Sequence, residues 1–411
     1  MVAPFLPDAE KHAAIRQALP ALSAGIYLNT GSAGPLPAET AAAMAEMAAR
    51  ERDLGRADAG WIDESSIRMA EARAGVAAVV GADVDAVALT HSTTDAMNAG
   101  VQALDWRSGG RIVTSRSEHP GGLGPLYALR DRGGVEIVFV DAGADGDESR
   151  TIAAFDAAIT PGTRLVALSH VLWTTGAVMP VAAIAELAHA RGALLIVDGA
   201  QAVGAIPFRF DDLGADLYAV SAQKWLLGPE GMGALVVAPS IQERLRPSTG
   251  GHYTFERSDS AGMAAWWPDA RRFESSNYHR PSVVGMARSL GWLSMYIGLE
   301  YIYRTGAARA LATARRLAAI PGVTVLTPVD RMATLVTFRI AGWTALAALD
   351  ELGARIFVIA RTVTSLDALR ISVGFFNSNE EVERLAGAVE LLATHTPETL
   401  PPRRLTILTD Q

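Results

Sequence analysis

Residues 193–225 read ALLIVDGAQAVGAIPFRFDDLGADLYAVSAQKW. Two short apolar runs lie in this stretch, ALLIVD (193–198) and LYAVSA (217–222). The first ends on Asp198, and Lys224 follows the second by two residues. Continuous apolar runs of this length read as strands covered on both faces. The same kind of run recurs on either side: AVALT (86–90), RIVTS (111–115), EIVFV (136–140) and RLVALSHV (164–171) before it, GALVVAP (233–239) after it. Helical patterns separate them, as in IAELAHARG (184–192), and PAETAAAMAEMAARERDL (37–54) precedes them. The alternation predicts an α/β fold with a mostly parallel seven-stranded sheet and helices on both faces. Ligands bind such sheets beyond the carboxyl ends of the strands. The residues that follow each run are therefore the ones to inspect.

Residues 248–282 break the pattern. They are rich in Gly, Ser, aromatic and charged residues, with little periodicity, and read as a long functional loop or inter-subunit arm. From SVVGMARSLGWLSM onward the sequence reads as helix, followed by a compact unit: strand TLVTFRI, helix TALAALDELG, strands ARIFVIA and ALRISVG, helix EEVERLAGAVELLATH. This predicts residues 26–282 as a large domain that includes the arm, and 283–411 as a helix plus a small C-terminal α+β domain. Residues 1–25 are expected to pack near that small domain.

Composition narrows the function classes. The chain has 411 residues, half of them apolar and 19% charged, with a formal charge of −8. Two domains are the natural division for this length. The basic pairs Arg271-Arg272 and Arg403-Arg404 are too short for a nucleic-acid groove. There is no cysteine, which excludes disulfides, thiolate metal sites and cysteine nucleophiles; no metal is expected. The first twenty residues lack a signal-peptide pattern, and no run of about 18 apolar residues is present. A cytoplasmic protein with a small-molecule substrate, and neither nucleic acid nor membrane as partner, is the expectation.

Pyridoxal 5′-phosphate (PLP) makes four demands on a protein. Its phosphate suits hydroxyls at a helix N-terminus. Its ring nitrogen needs a carboxylate to stay protonated, its aldehyde needs a lysine, and its ring needs a flat partner. Thr93 and Thr94 in HSTTDAMNAG follow one run and open a helix, with Asp95 complementing its dipole. His119 in SEHPGG follows the next, Asp198 ends a third, and Lys224 follows a fourth. A helix-capping Thr, a loop His, a capping Asp or a surface Lys would each explain one of these residues alone. Their joint order over about 130 residues points to PLP, with Lys224 as the Schiff-base lysine and Asp198 on the pyridinium nitrogen.

With these residues in place the sequence resembles the class V aminotransferase group of PLP enzymes, which includes the cysteine desulfurases, from YLNTGSAGPLP to the last helix. The resemblance implies PLP fold type I and a homodimer with active sites at the subunit interface. It carries DGAQ onto Asp198–Gln201, the Schiff-base lysine onto Lys224, the stacking histidine onto His119 and the phosphate-binding pair onto Thr93 and Thr94. It also implies Ser221 as a phosphate ligand, Gln201 near the phenolic oxygen, and Arg370 of ALRISVG as the carboxylate-binding arginine. SEHPGG, SHVLWTTGAVMPVAAI, QKWLLGPEGMG and WWPDARRFE look most like the cyst(e)ine C–S lyases of the group. Trp173 stands where desulfurases carry a PLP-contacting asparagine. Two positions depart from the family pattern: Gln223 replaces its histidine before the lysine, and Asn277 replaces the threonine that reaches the neighbouring subunit's phosphate. Asn29, His252, Tyr253, Arg272 and Tyr278 are expected near substrate or cofactor, the last four from the arm. The leading expectation is β-elimination from a cysteine-type amino acid. An aminotransferase or epimerase remains the alternative, and a non-catalytic PLP-binding protein stands further off.

Overall fold

The computed structural model describes residues 7–57, 59–275 and 277–403. Residues 1–6 of the expected N-terminal segment, Ser276 of the arm, and Arg404 with the rest of 404–411 lie outside the described residues.

Seven strands form the large sheet: β1 (Val87–Thr90), β2 (Gly110–Ser115), β3 (Val135–Val140), β4 (Thr163–Ser169), β5 (Leu194–Asp198), β6 (Leu217–Ser221) and β7 (Gly233–Val237). Their order is β1-β7-β6-β5-β4-β2-β3. All pairs are parallel except those of β7, which runs antiparallel to both β6 and β1. The reason is local. The segment between β6 and β7 is a compact turn without a helix, too short for a crossover to a parallel strand. Lys224 sits in that turn.

Every residue of β1, β5, β6 and β7 is buried. Alternate residues feed two cores, as a strand's period of two requires. Leu195, Val197, Tyr218 and Val220 join one cluster, while Leu194, Ile196, Leu217 and Ala219 join the other. Helices Thr93–Gln102 and Pro120–Arg132 contribute Met97, Val101 and Leu126 to the second core. Helices Trp61–Val80, Val181–Ala190 and Arg280–Gly291 contribute Val76, Ile184 and Val283 to the first. The apolar runs are continuous because both faces are covered.

A second, antiparallel sheet holds β8 (Val323–Val325), β9 (Leu335–Ile340), β10 (Arg361–Val363) and β11 (Ala368–Ser372), in the order β8-β9-β11-β10. Helices Leu299–Ala318, Ala345–Ile356 and Asn379–Ala393 pack on it through Ala314, Leu352 and Leu385. The N-terminal chain reaches this sheet's neighbourhood first. Ile26 and Tyr27 pair in parallel with Val358 and Ile359, and Asn29 bridges to Ser372. Helix Asp8–Ala18 follows the same side, with Arg16 bonded to Glu381 at 2.8 Å.

Three elements differ from their reading in the sequence. The strand expected at ARIFVIA starts late, because helix Ala345–Ile356 runs on until Phe357 turns left-handed at φ 55°. The long helix expected after residue 281 is three pieces: Arg280–Gly291, a π-helical turn at Trp292–Ile297, and Leu299–Ala318, with Gly298 at φ 90° between the last two. The arm contains a small hairpin, Phe255–Ser258 with Ala264–Trp266.

Candidate active site

The carboxyl ends of β1, β2, β5 and β6 open on one cavity of about 250 Å³. Its lining brings together Ser92, Thr93, Thr94, His119, Asp198, Gln201, Ser221, Gln223 and Lys224 from the large sheet. Gly31 and Ser32 from the N-terminal crossing, and Arg361 and Arg370 from the small sheet, complete it.

Each side chain is aimed by its element. Ser92 caps helix Thr93–Gln102 by accepting from the Asp95 amide at 3.0 Å, so Thr93 and Thr94 form the helix's first turn over the cavity. The Thr93 hydroxyl is buried without a hydrogen-bond partner, as are Nε and Nη2 of Arg370. Orphaned polar atoms of this kind mark a place built for a ligand. Asp198, 7% exposed, accepts from the Ala200 amide at 2.9 Å. Gly199 is obligatory behind it: a Cβ there would lie 2.0 Å from the Tyr218 ring. Ser221 donates to Gln223 at 2.7 Å. Gln201 is tied at both ends, donating to the Gly31 carbonyl at 2.7 Å and accepting from Trp225 at 2.9 Å.

Electrostatics separate the basic groups. Burial pulls the Lys224 amine down to about 8, opposed by Asp198 and aided by Arg370 and Arg361. Burial likewise pulls Arg370 down to about 9, so it stays charged at neutral pH. His119 is lowered by burial and then by Lys224. Its Nδ1 accepts from the Gly121 amide at 3.0 Å, which leaves a neutral ring with the proton on Nε2. Trp173 lies outside the lining but connects it. Its ring meets His119 edge-on at 5.3 Å, its face carries Arg361 at 5.5 Å, and its carbonyl accepts from Arg370 at 2.8 Å. Asn29 stands one bond back, accepting from the Ser32 hydroxyl at 2.8 Å.

The arm residues are not at this cavity within one chain. Tyr253, Asn277 and Tyr278 line a separate cavity of about 320 Å³ with Trp61, Arg56 and Arg280, and His252 is exposed beside Tyr253. Two of the arm residues are bonded to backbone carbonyls of their own chain. The Arg272 guanidinium donates to the carbonyls of Trp267, Asp269, Gln242 and Pro268 at 2.9–3.2 Å. The Tyr278 hydroxyl is likewise spent, donating to the Leu89 carbonyl at 2.5 Å while its ring stacks on His91. Sequence reasoning also missed two charged groups. Arg361 lies directly across the β10–β11 pair from Arg370. Glu118, beside His119 in the chain, is buried.

The class V aminotransferase model matches residues 26–385, nearly the whole chain. The chain belongs to the class V aminotransferase family. An isopenicillin N epimerase of Streptomyces clavuligerus is 32% identical over 89% of this chain and 94% of its own length. A probable cysteine desulfurase of Methanothermobacter thermautotrophicus is 27% identical over 92% and 97%. Among solved structures, a mutant of C-DES with glycine covalently linked to its PLP cofactor superposes with a TM-score of 0.86 at 26% identity, over 91% of this chain and 98% of that one. The complex of the cystine C–S lyase C-DES with cysteine persulfide gives 0.85, also at 26% identity, over 90% and 99%. This member of the class V family is a PLP-dependent enzyme of fold type I. The cavity fits the cofactor, with orphaned donors for anions, a carboxylate, a flat neutral ring and a buried amine around one space.

Proposed function

We propose that this enzyme performs β-elimination on cystine or another S-substituted cysteine, giving pyruvate, ammonia and a sulfur leaving group. The supporting observation is the division of labour among the cavity's ionisable groups. The His119 ring is held neutral by the Gly121 amide, Asp198 lies buried at the end of β5 on the same cavity, and the Arg370 guanidinium stays charged. Lys224, with its amine lowered to about 8, is left among the described lining residues to move a proton.

In this reading Lys224 would hold the cofactor through its aldehyde carbon, Asp198 would keep the ring nitrogen protonated, and His119 would cover the ring. The first turn at Thr93 and Thr94, with Ser221 and Gln223, would hold the phosphate. Bound PLP supplies an electron sink for the Cα bond pair. Arg370 takes the α-carboxylate on its two unpartnered nitrogens, where its fork gives bidentate geometry. The freed Lys224 amine accepts the Cα proton. The Cβ–S bond then breaks with its electron pair leaving on sulfur, and the unsaturated amino acid hydrolyses to pyruvate and ammonia. Arg361, bonded to Thr362 and Ser32 at 3.3–3.4 Å and lying over the Trp173 ring, is placed to meet a second anionic group on the substrate. A homodimer that brings Asn277 and the arm to a neighbouring cavity completes the site.

The 32% identity to an isopenicillin N epimerase favours epimerisation as a second reading. That reaction returns a proton to the opposite face of Cα, and two-base versions need a second proton carrier. Incubation in deuterated water separates the two. Elimination consumes the amino acid and yields pyruvate. Epimerisation returns it with deuterium at Cα and mixed configuration, and that result would replace the elimination reading.

A further inference from the structure

Glu118 takes no part in the chemistry above, and its setting is unusual. It is 7% exposed. Its two carboxyl oxygens accept from the hydroxyls of Ser115 at 2.6 Å and Ser169 at 2.5 Å. Those serines end β2 and β4, which are neighbours in the sheet. Ser169 is in turn the cross-strand partner of Asp198. No lysine or arginine pairs with Glu118 among the described residues. A buried carboxyl without a counter-cation is costly. If the task were only to join two strand ends, a glutamine would make the same two contacts without a charge.

We propose that Glu118 is a positioning residue acting through Asp198: its carboxylate places a second negative charge behind Asp198 and so holds the proton on the cofactor's ring nitrogen. The inference rests on Asp198 being the partner of that nitrogen. Three features support it. The charge lies one strand from Asp198, and the two carboxyls feel each other. The hydroxyl pair points its hydrogens at Glu118, which favours the ionised form without neutralising it. Among the described residues, Lys224, His119 and Tyr218 also feel the Asp198 charge. His119 is neutral and Tyr218 is pushed well up by burial, so neither cancels the added charge.

Burial lifts Glu118 to about 7. It is therefore neutral below that pH and charged above it, which gives the device a signature. Glu118→Gln imitates the neutral acid and keeps a donor and an acceptor for the two serines. The test is nitrogen-15 NMR of the holoenzyme loaded with ring-labelled PLP, titrated from pH 6 to pH 10. Wild type and Glu118→Gln should coincide at the acid end, where Glu118 is protonated, and diverge as it ionises, the variant losing its ring proton about one unit earlier, a tenfold change in proton affinity. Ser169→Ala, which keeps the carboxyl but removes one donor, should move the divergence to higher pH. It also serves if Glu118→Gln loads poorly. Curves that coincide throughout, or differ equally at every pH, overturn the proposal. Asp198→Asn is the control. If it keeps the ring proton, the Asp198 reading falls; if it loses the proton while Glu118→Gln does not, Glu118 alone is wrong.

Discussion

At the scale of single residues, the legible groups are those that violate their surroundings. Asp198 ends a strand whose five residues are all buried, and Lys224 follows another, so both stood out against apolar sequence. Lys224→Ala should remove the visible band that borohydride reduces and lower turnover by about 10²- to 10⁴-fold or more, the usual scale for a lost general base. Retained activity would refute its role. Arg370 was legible only through resemblance, yet its 1% exposure and two unpartnered nitrogens give it a physical argument of its own. Arg370→Lys keeps the charge and loses the fork. Substrate binding should weaken on the order of 10- to 100-fold with PLP occupancy intact, the scale of one or two charge-assisted bonds; a titration of both ligands checks it. Arg361 was not legible, because its place depends on the register that sets it opposite Arg370. The backbone bonding of Arg272 was not legible either. Nothing in a sequence announces that backbone carbonyls will use up a guanidinium.

At the scale of elements, period and apolar runs were enough to place all seven strands of the large sheet. They could not show that helix Ala345–Ile356 would run on until Phe357, since that end is fixed by one left-handed residue. Behind β5 and β6 lies a contact also invisible in the sequence. His170, 4% exposed, bonds to the Tyr218 hydroxyl at 2.9 Å and packs edge-on against Phe208. Burial lowers His170 from 6.5 to about 4. Its folded value lies below its unfolded one, so the unfolded state binds more protons between those limits. The stability this residue contributes is complete above about pH 6.5 and is lost as the pH falls towards 4. His170→Asn removes the titration. On going from pH 7 to pH 4, wild type should lose about 3 kcal/mol more unfolding free energy than the variant, as urea unfolding at each pH would show. Parallel losses would mean that His170 is not buried in its neutral form.

At the scale of the whole molecule, the single chain gathers one cavity from two sheets and leaves the arm facing another. The carboxyl ends of the large sheet supply Asp198 and Lys224, and the small sheet supplies Arg361 and Arg370. Sequence order alone revealed the first set, because those residues follow strands directly; the second required the two sheets to meet. The arm residues Tyr253 and Asn277 line their own cavity with Trp61 and Arg280, which suits a surface completed by another copy. Sedimentation should find a dimer at micromolar concentration, and a fully active monomer would contradict that arrangement. On the proposed reading, the chain has no cysteine to accept sulfur from a bound substrate, so the sulfur would depart as a leaving group. The most direct test is therefore to incubate the PLP-loaded enzyme with cystine and quantify pyruvate and alanine together. The account predicts pyruvate and ammonia in equal amounts with no accumulation of alanine. Stoichiometric alanine would contradict it.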